Sequence, residues 1–429
     1  MKTKILLLSL FLAANASEVS LSTAYEMALQ NNNELIQNTF ERLATTQRVK
    51  QATAALLPSI SVQATYNIEK YTQEDRVNIK IDESFYKYGI NLNQVIFRPS
   101  LWYQKNQQEI REAGSELSLE SVRQELVKKV AKAYFDYAYA KQKLKLAQSY
   151  KESNEARYNK MQKSLKFGLV NKMDTLESKV RYDESRLEVN KANRDIEITK
   201  LSFEKLIGED IEIGDIFSNL NIGFFKGVNI LNFNNLSENL DLKQSELLEI
   251  YSGNEYKKAK AERFPTVDLN LGFFNQHYID NYRFKDKTKK LEGSIRFSMP
   301  LFTSGFNSAK IEEARLLQIA SAHRHINAQK EINIKQKQIM SDFISYIDKF
   351  EIAKDAIGYA KIYEESIQKG YEEGLKNIVD LLDAKVRVFN SENELLNAGY
   401  KLITAYLELQ HLIGNVSLSM IKDLEKAFL

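Results

Sequence analysis

The sequence predicts a mixed α and β fold in which two β-hairpins alternate with very long α-helices. Four segments alternate apolar and polar residues with the period of a strand. Two proline-free stretches of about 67 residues keep a helical pattern, and the same order of elements occurs twice. Only 16 glycines and 4 prolines occur among the 429 residues, so few breaks in these elements are expected.

The four strands are predicted from strict alternation. The first is the clearest, because apolar Ile60, Val62 and Tyr66 belong to an unbroken alternation over residues 60–69. The other predicted strands cover residues 86–93, 267–273 and 291–299. Each half of the chain therefore carries one hairpin. The polar tips of the two hairpins are residues 73–76 and 283–290.

The long helices are predicted from the helical period that follows each hairpin. They cover residues 101 to about 167 and 306 to about 373. At 1.5 Å per residue each would be roughly 100 Å long, and only a coiled coil or a helical tube keeps such a helix solvated. The return helices span about 35 residues each, roughly half the outgoing length. Helical segments over residues 23–57 and 236–263 are expected to cover the rest.

The two halves are related by an internal duplication. Three short motifs recur at a spacing of 206 residues. They are Leu206-Ile207-Gly208 with Leu412-Ile413-Gly414, Lys179-Val180-Arg181 with Lys385-Val386-Arg387, and Gly168-Leu169 with Gly374-Leu375. We therefore predict a first repeat over residues 17–208, a linker over 209–235, a second repeat over 236–414 and a short tail over 415–429.

The first sixteen residues have the pattern of a secretory signal. A basic start precedes an apolar run over residues 5–13, and Ala14-Asn15-Ala16 supplies the small residues for cleavage before Ser17. A signal peptide over residues 1–16 implies an envelope or extracellular location, which agrees with the absence of cysteine. No later apolar run reaches the roughly 20 residues that a membrane-spanning helix needs.

Composition and motifs argue against an enzyme. The 60 basic and 57 acidic side chains leave a net charge of +3, which does not suggest binding of nucleic acid. No glycine-rich phosphate loop, nucleophile elbow or metalloprotease helix occurs. His323 and His325 lie two positions apart on a helix, where a solvated surface is expected rather than a metal site. We predict no catalysis, no cofactor and no nucleic-acid partner.

The tip of the second hairpin is rich in basic side chains. These are Arg283, Lys285, Lys287, Lys289 and Lys290. The run suits contact with anionic lipopolysaccharide outside the cell, but a charged loop is more often only solvated.

The strands have the length needed to cross an outer membrane. Ten residues at about 3.3 Å each, tilted, match an apolar band of roughly 25 Å. Four strands cannot close, and an open edge in lipid leaves backbone groups unpaired, so other copies of the chain must complete a barrel. Two copies would give eight strands and three would give twelve, and the pattern alone does not choose. The alternative is a structural or adhesive coiled-coil envelope protein with a soluble β head.

The chain resembles the TolC-like outer membrane efflux proteins over nearly its whole length. The motifs that carry the resemblance are Ala28-Leu29, Leu56-Leu57-Pro58-Ser59, Met299-Pro300-Leu301-Phe302, and Gly374 followed by Ile378-Val379-Asp380-Leu381-Leu382-Asp383-Ala384. The resemblance implies a homotrimer with a twelve-stranded outer membrane β-barrel, continuous with a coiled-coil tunnel in the periplasm. It also implies a passive exit duct for a tripartite efflux or type I secretion system. The implied partners are a periplasmic adaptor, an inner-membrane pump or ABC exporter, and outer membrane lipid.

Two features depart from the family pattern. Asn32-Asn33 stands where the family usually has Asn-Pro, and the tail after Gly414 is short. The resemblance makes residues 209–235 part of an equatorial region, and the short tail leads us to expect a reduced equatorial belt around the tunnel.

The resemblance also assigns roles at the tunnel end. Asp380 and Asp383 match the acidic rings of the entrance. Asp174, Tyr371 and Lys376 match contacts that hold the entrance shut. The tips that meet the adaptor match the turn residues Gly168, Leu169, Gly374 and Leu375.

A second pair of acids is an alternative candidate to face the lumen. Asp174 and Glu177 lie 206 residues before Asp380 and Asp383, so both halves place two acids at the same height. Either pair is therefore a candidate to face the lumen.

Overall fold

The computed structural model describes residues 19–74, 78–280 and 287–428. The predicted signal peptide over residues 1–16 lies outside them, as do Asp75, Arg76, Arg283 and Lys285 of the predicted hairpin tips. Nine α-helices and four β-strands occur in the described part of the chain. The mixed α and β class is therefore confirmed.

The elements follow the predicted order. The helices are α1 (Leu21–Asn31), α2 (Asn33–Ala54), α3 (Pro99–Lys166), α4 (Lys172–Ile207), α5 (Ile222–Lys226), α6 (Leu240–Ala261), α7 (Phe306–Glu372), α8 (Ile378–Leu412) and α9 (Leu418–Glu425). The strands are β1 (Ser59–Glu74), β2 (Asn78–Phe97), β3 (Thr266–Asp280) and β4 (Lys287–Ser298). The long helices have the predicted lengths, with 68 residues in α3 and 67 in α7. The return helices α4 and α8 have 36 and 35 residues.

The prediction of a helical segment over residues 23–57 is confirmed as far as Ala54, with a break at Asn32 between two helices. Asn32 has an extended backbone, with φ −87° and ψ 101°, so α1 ends before it and α2 begins after it. Its side-chain Oδ1 accepts a hydrogen bond from the Leu35 backbone N–H at 2.7 Å, as a helix N-cap does. The asparagine cap therefore divides this proline-free segment into the two helices α1 and α2.

The four strands form one antiparallel sheet in the order β1-β2-β3-β4, with β1 and β4 at its edges. They are longer than predicted, since backbone pairing continues beyond the stretches of strict alternation. One face carries the apolar members of the alternation, and these are exposed in the single chain. They include Ile60, Val62, Ile90, Leu271, Phe273, Leu291, Ile295 and Phe297.

The described chain divides into two compact units. The first comprises residues 19–36, 120–240 and 331–428 and holds the larger apolar core. The second comprises residues 37–119 and 241–330 and holds the sheet. Each unit draws residues from both predicted repeats, so the repeat boundaries stay a prediction. Among the described residues, no helix combines the length and the apolar character needed to cross a membrane.

The core of the first unit includes the linker and the C-terminal tail. Its largest fully buried side chains include Phe135, Tyr137, Phe203, Phe225 and Phe343. The tail helix α9 buries Met420, Ile421 and Leu424 in the same core. The Glu425 carboxylate accepts hydrogen bonds from the Ser22 backbone N–H at 2.7 Å and from the Ser22 hydroxyl at 3.2 Å. The short tail is therefore a packed part of the fold.

Polar side chains dominate the helix contacts of the second unit. The pairs are Arg42 with Glu116, Thr45 with Ser115, Arg111 with Tyr251, and Lys310 with Glu262, at 2.6 to 2.8 Å. These contacts fix the helix register without a large apolar core.

On the polar face of the sheet, the Phe274 ring lies over two glycines and is only 7% exposed. A Cβ at Gly89 would lie 2.5 Å from the ring and 2.1 Å from the Phe273 carbonyl oxygen, and a Cβ at Gly272 would lie 2.3 Å from the ring. The Lys87 ammonium lies 3.9 Å from the ring centroid on its other side. The two glycines therefore make room for the ring.

We predict that Gly89→Ala destabilises the sheet by roughly 1–3 kcal/mol or more, because the new methyl group overlaps both a ring and a backbone carbonyl. The unfolding temperature in detergent should fall. Gly293→Ala is the control, since its Cβ would meet only the Leu271 side chain at 3.3 Å. Equal unfolding temperatures for the two variants would contradict the packing described.

Candidate functional site at the helical hairpin turns

Two glycine turns reverse the chain between the long helices. Gly168 has φ 69° and Gly374 has φ 75°, in the left-handed region that favours glycine. Just beyond them, the Leu169 N–H donates to the Ser164 carbonyl oxygen at 2.9 Å and the Leu375 N–H donates to the Gly370 carbonyl oxygen at 2.7 Å. A Cβ at either glycine would meet open space, so the backbone angle alone requires glycine.

Each return helix begins with an asparagine cap. Asn171 accepts from the Asp174 backbone N–H at 2.8 Å, and Asn377 accepts from the Asp380 backbone N–H at 2.9 Å. The Asp380 carboxylate also accepts from the Asn377 backbone N–H at 3.2 Å, which completes a capping box. One acid predicted for the entrance rings thus also stabilises the start of α8.

An open groove of about 780 Å³ lies between the two turns. The predicted gate residues Asp174, Tyr371 and Lys376 all line it. The predicted tip residues in its lining are Gly168, Leu169 and Gly374. Asp380 and Asp383 are not among its lining residues. The structure therefore places the predicted gate residues and three of the four predicted tip residues around one groove, while Leu375, Asp380 and Asp383 do not line it.

Tyr371 has its own contacts within the chain. Its hydroxyl donates to the Met161 sulfur at 3.8 Å, and the Arg157 guanidinium lies 5.8 Å from its ring centroid. Burial lowers the pKa of Arg157, while Tyr371 and nearby glutamates partly offset that effect. In the single chain, Tyr371 is thus half-buried against α3, and its hydroxyl bonds to Met161 rather than to Asp174.

Arg181 on α4 links the two return helices. Its Nη2 lies 3.1 Å from Asp383 Oδ1 on α8, and its other nitrogens lie 3.3 Å from Glu177 and from Glu184. Burial lowers the pKa of Arg181, but the carboxylates of Glu184, Glu177 and Asp383 more than offset this and raise it. Asp383 is therefore ion-paired across the hairpins.

Arg181 was not predicted from the sequence as a site residue. Glu177 and Arg181 are four residues apart on one helix face, as are Asp383 and Arg387 in the second half. This repeated acid-to-arginine spacing was the available signal. The partner on the other helix was not visible, because it depends on how α4 and α8 pack.

The turns also expose apolar side chains. Leu169 and Leu375 are each 75% exposed, and Phe167 and Met173 beside the first turn are each 79% exposed. Exposed apolar clusters of this kind mark interaction surfaces.

The histidines do not assemble a metal site. In the described ranges, no group of three or more His, Cys, Asp or Glu residues lies close enough to hold a metal ion. His323 is exposed, as predicted, whereas His325 is half-buried and hydrogen-bonded to Ser245 at 2.7 Å.

Known proteins share this architecture. The outer membrane protein TolC of Vibrio cholerae is 22% identical over 441 residues, covering 97% of this chain and 97% of that protein. The proteases secretion protein PrtF of Dickeya chrysanthemi is 22% identical and covers 97% of this chain and 93% of its own. The CmeC outer membrane channel of Campylobacter jejuni has the same fold, with a TM-score of 0.79 at 16% identity over 95% of this chain and 89% of that chain.

A family comparison agrees with these similarities. The profile described as outer membrane efflux protein matches residues 24–209 and 234–415, which is most of the sequence. The chain therefore belongs to the outer membrane efflux protein family.

Proposed function

We propose that this chain is the outer membrane exit duct of a tripartite efflux or type I secretion system. It would act as a passive conduit across the periplasm and the outer membrane. The family match over both halves of the chain carries this proposal, and it also places the chain in the outer membrane of a Gram-negative cell. The relatives named above are channels and secretion proteins, so at the level of the family no catalysis is assigned.

The functional form we propose is a homotrimer with a twelve-stranded barrel. Two observations support it: β1 and β4 are open edges, and one face of the sheet exposes apolar side chains such as Val62 (79%) and Leu291 (80%). Strand pairing between three copies would close the edges, and lipid would cover the apolar face. A soluble adhesive head would leave that face in water, which disfavours the alternative.

We further propose that the long helices form a coiled-coil periplasmic tunnel and that the chain is a duplicated unit. Both halves have the order helix, hairpin, long helix and return helix, and the family profile matches each half separately. The linker and tail, which pack in one core, would form the equatorial region of the tunnel. That this belt is reduced stays a prediction.

The groove between the hairpin turns is proposed as the closed tunnel entrance. Asp174, Tyr371 and Lys376 line it together, and the Arg181–Asp383 ion pair joins α4 to α8 beside it. The exposed apolar tips would dock the periplasmic adaptor, with an inner-membrane pump or ABC exporter completing the assembly. Asp380 and Asp383, or alternatively Asp174 and Glu177, would form acidic rings in the lumen.

The barrel is tested with Val62→Pro. Proline removes a backbone N–H from β1, which costs a ladder hydrogen bond either to β2 or to a neighbouring copy. We expect the proposed trimer to disappear from the outer membrane fraction, whereas Val62→Ala, which keeps the N–H, should assemble. A soluble monomer with native strand content in the unmodified protein would favour the adhesive alternative.

The entrance is tested through the Arg181–Asp383 ion pair. Both partners are partly exposed, so the pair contributes up to about 1 kcal/mol, and three copies would bias the entrance without locking it. Asp383→Asn and Arg181→Gln change the net charge in opposite directions but break the same pair. Both should raise single-channel conductance in planar bilayers several-fold.

The control for this test is Asp183→Asn. Its carboxylate pairs at 2.8 Å with Lys179 and at 3.3 Å with Arg186, both within α4, so its loss should leave conductance unchanged. If the two test variants changed conductance in opposite directions, lumen charge rather than an ion-pair latch would be responsible.

The acidic rings are tested with Asp380→Asn. The asparagine oxygen can still accept from the Asn377 N–H, so α8 should begin as before while up to three charges leave the trimer. Like charges in a narrow passage focus the field, so the reversal potential in a salt gradient should show weaker cation preference. If instead only Asp174→Asn with Glu177→Gln weakens it, the lumen acids lie on the first hairpin.

A further inference from the structure

Two lysines at the start of β4 lie on the apolar face of the sheet. The strand register pairs Lys287 with His277 and Lys289 with Asn275. Since side chains alternate along a strand, both point to the same side as Leu291, the next apolar residue of β4. We call Lys287 and Lys289 the lysine pair.

Aromatic rings continue the two rows that the lysine pair begins. Tyr86 pairs with both His277 and Tyr66 across the sheet, and Tyr88 lies in the neighbouring row. The Tyr86 and His277 rings are stacked, with centroids 4.8 Å apart and planes 9° apart. Tyr86 and Tyr88 are also stacked, at 6.2 Å. A row of this kind marks the interface between the hydrocarbon and the headgroups of a membrane.

Apolar rows follow directly on the side toward the helices. The first such row is Val62, Ile90, Phe273 and Leu291, and further rows include Ile60, Leu92, Leu271, Ile295 and Phe297. On the other side of the aromatic row, Ile68 and Ile279 are exposed apolar residues. Cations, aromatic rings and aliphatic side chains thus succeed one another along one face.

Not every lysine at the start of β4 lies on the apolar face of the sheet. Lys290 points to the polar face, where its ammonium lies 2.6 Å from the Glu292 carboxylate. Glu292 also lies 3.9 Å from Lys87, which covers the Phe274 ring. By contrast, neither member of the lysine pair forms an ion pair with any residue that the structure describes. Their charges are available on the face that carries the apolar rows.

We propose that the lysine pair binds the phosphate groups of a phosphorylated glycolipid, lipopolysaccharide, in the outer leaflet of the membrane. The proposal rests on the proposed barrel, which turns this face toward lipid. The acyl chains would lie along the apolar rows and the aromatic rings would sit at headgroup level. The two lysines, whose backbone positions are about 7 Å apart along the strand, would reach the phosphates with their ammonium groups. The basic residues at the start of β4 thus divide between two surfaces. The lysine pair would contact lipid, and Lys290 lies on the polar face of the sheet.

The test compares lipid binding by the assembled protein in detergent. The probes are bisphosphorylated lipid A and the same lipid A with both phosphates removed. Retention of the phosphorylated lipid by Lys287→Gln/Lys289→Gln should weaken about 30-fold, since each lysine near an anionic surface contributes around fivefold. Retention of the dephosphorylated lipid should not change. In the unmodified protein, raising the salt to about 1 M should remove most of the difference between the two lipids.

Lys290→Gln is the matched control, because it removes a lysine from the same strand end but from the other face. It should retain both lipids as the unmodified protein does, and Lys287→Arg/Lys289→Arg should restore binding. The proposal would be overturned if Lys290→Gln and Lys287→Gln/Lys289→Gln lost retention of phosphorylated lipid equally. It would also be overturned if the unmodified protein showed no preference for phosphorylated lipid. Outer membrane fractionation distinguishes failure of the lipid site from failure of the proposed barrel. An assembled outer membrane protein without a preference for phosphorylated lipid overturns only the lipid site, whereas a soluble protein overturns both proposals.

Discussion

Backbone hydrogen bonding between β2 and β3 holds the two hairpins of the described chain in a single sheet. The hairpins come from opposite halves of the sequence, so this pairing joins residues nearly 200 positions apart. It leaves β1 and β4 as edges and gathers the apolar alternation of all four strands on one face. A sheet with two open edges and an exposed apolar face is incomplete in water and in lipid. In the proposed trimer, neighbouring copies would pair with the open edges and lipid would cover the apolar face.

The helices show two different ways of holding long elements together. The first unit uses a large apolar core, in which Phe203, Phe225 and Phe343 are fully buried and the tail helix α9 takes part. The second unit uses polar pairs such as Arg42 with Glu116. Apolar burial stabilises strongly and without direction, whereas exposed polar pairs contribute little energy but specify register.

The hairpin turns combine rigid and weak features. Glycine and asparagine fix the turns themselves through a left-handed backbone and N-caps. The links between helices are weaker, because Arg181 on α4 and Asp383 on α8 are partly exposed, and the hydroxyl of Tyr371 on α7 makes only a long hydrogen bond to the Met161 sulfur on α3. The tunnel entrance that we propose at these turns would need this combination: the hairpin ends would keep their form while the contacts between helices are exchanged.

Local patterns in the sequence determined the secondary structure of this protein. Alternation fixed the strands, the absence of proline allowed helices of 67 and 68 residues, and Gly168 and Gly374 marked the turns. The helical period did not mark the break at Asn32, since an asparagine can equally continue a helix or cap one, and only its neighbours decide. The predicted gate and tip residues came from family motifs, and all of them except Leu375 line one groove in the structure. Only the tertiary structure could pair Arg181 with Asp383 and seat Phe274 over Gly89. Each of these depends on the register between elements distant in sequence, which hydrophobic periodicity along a single element does not contain.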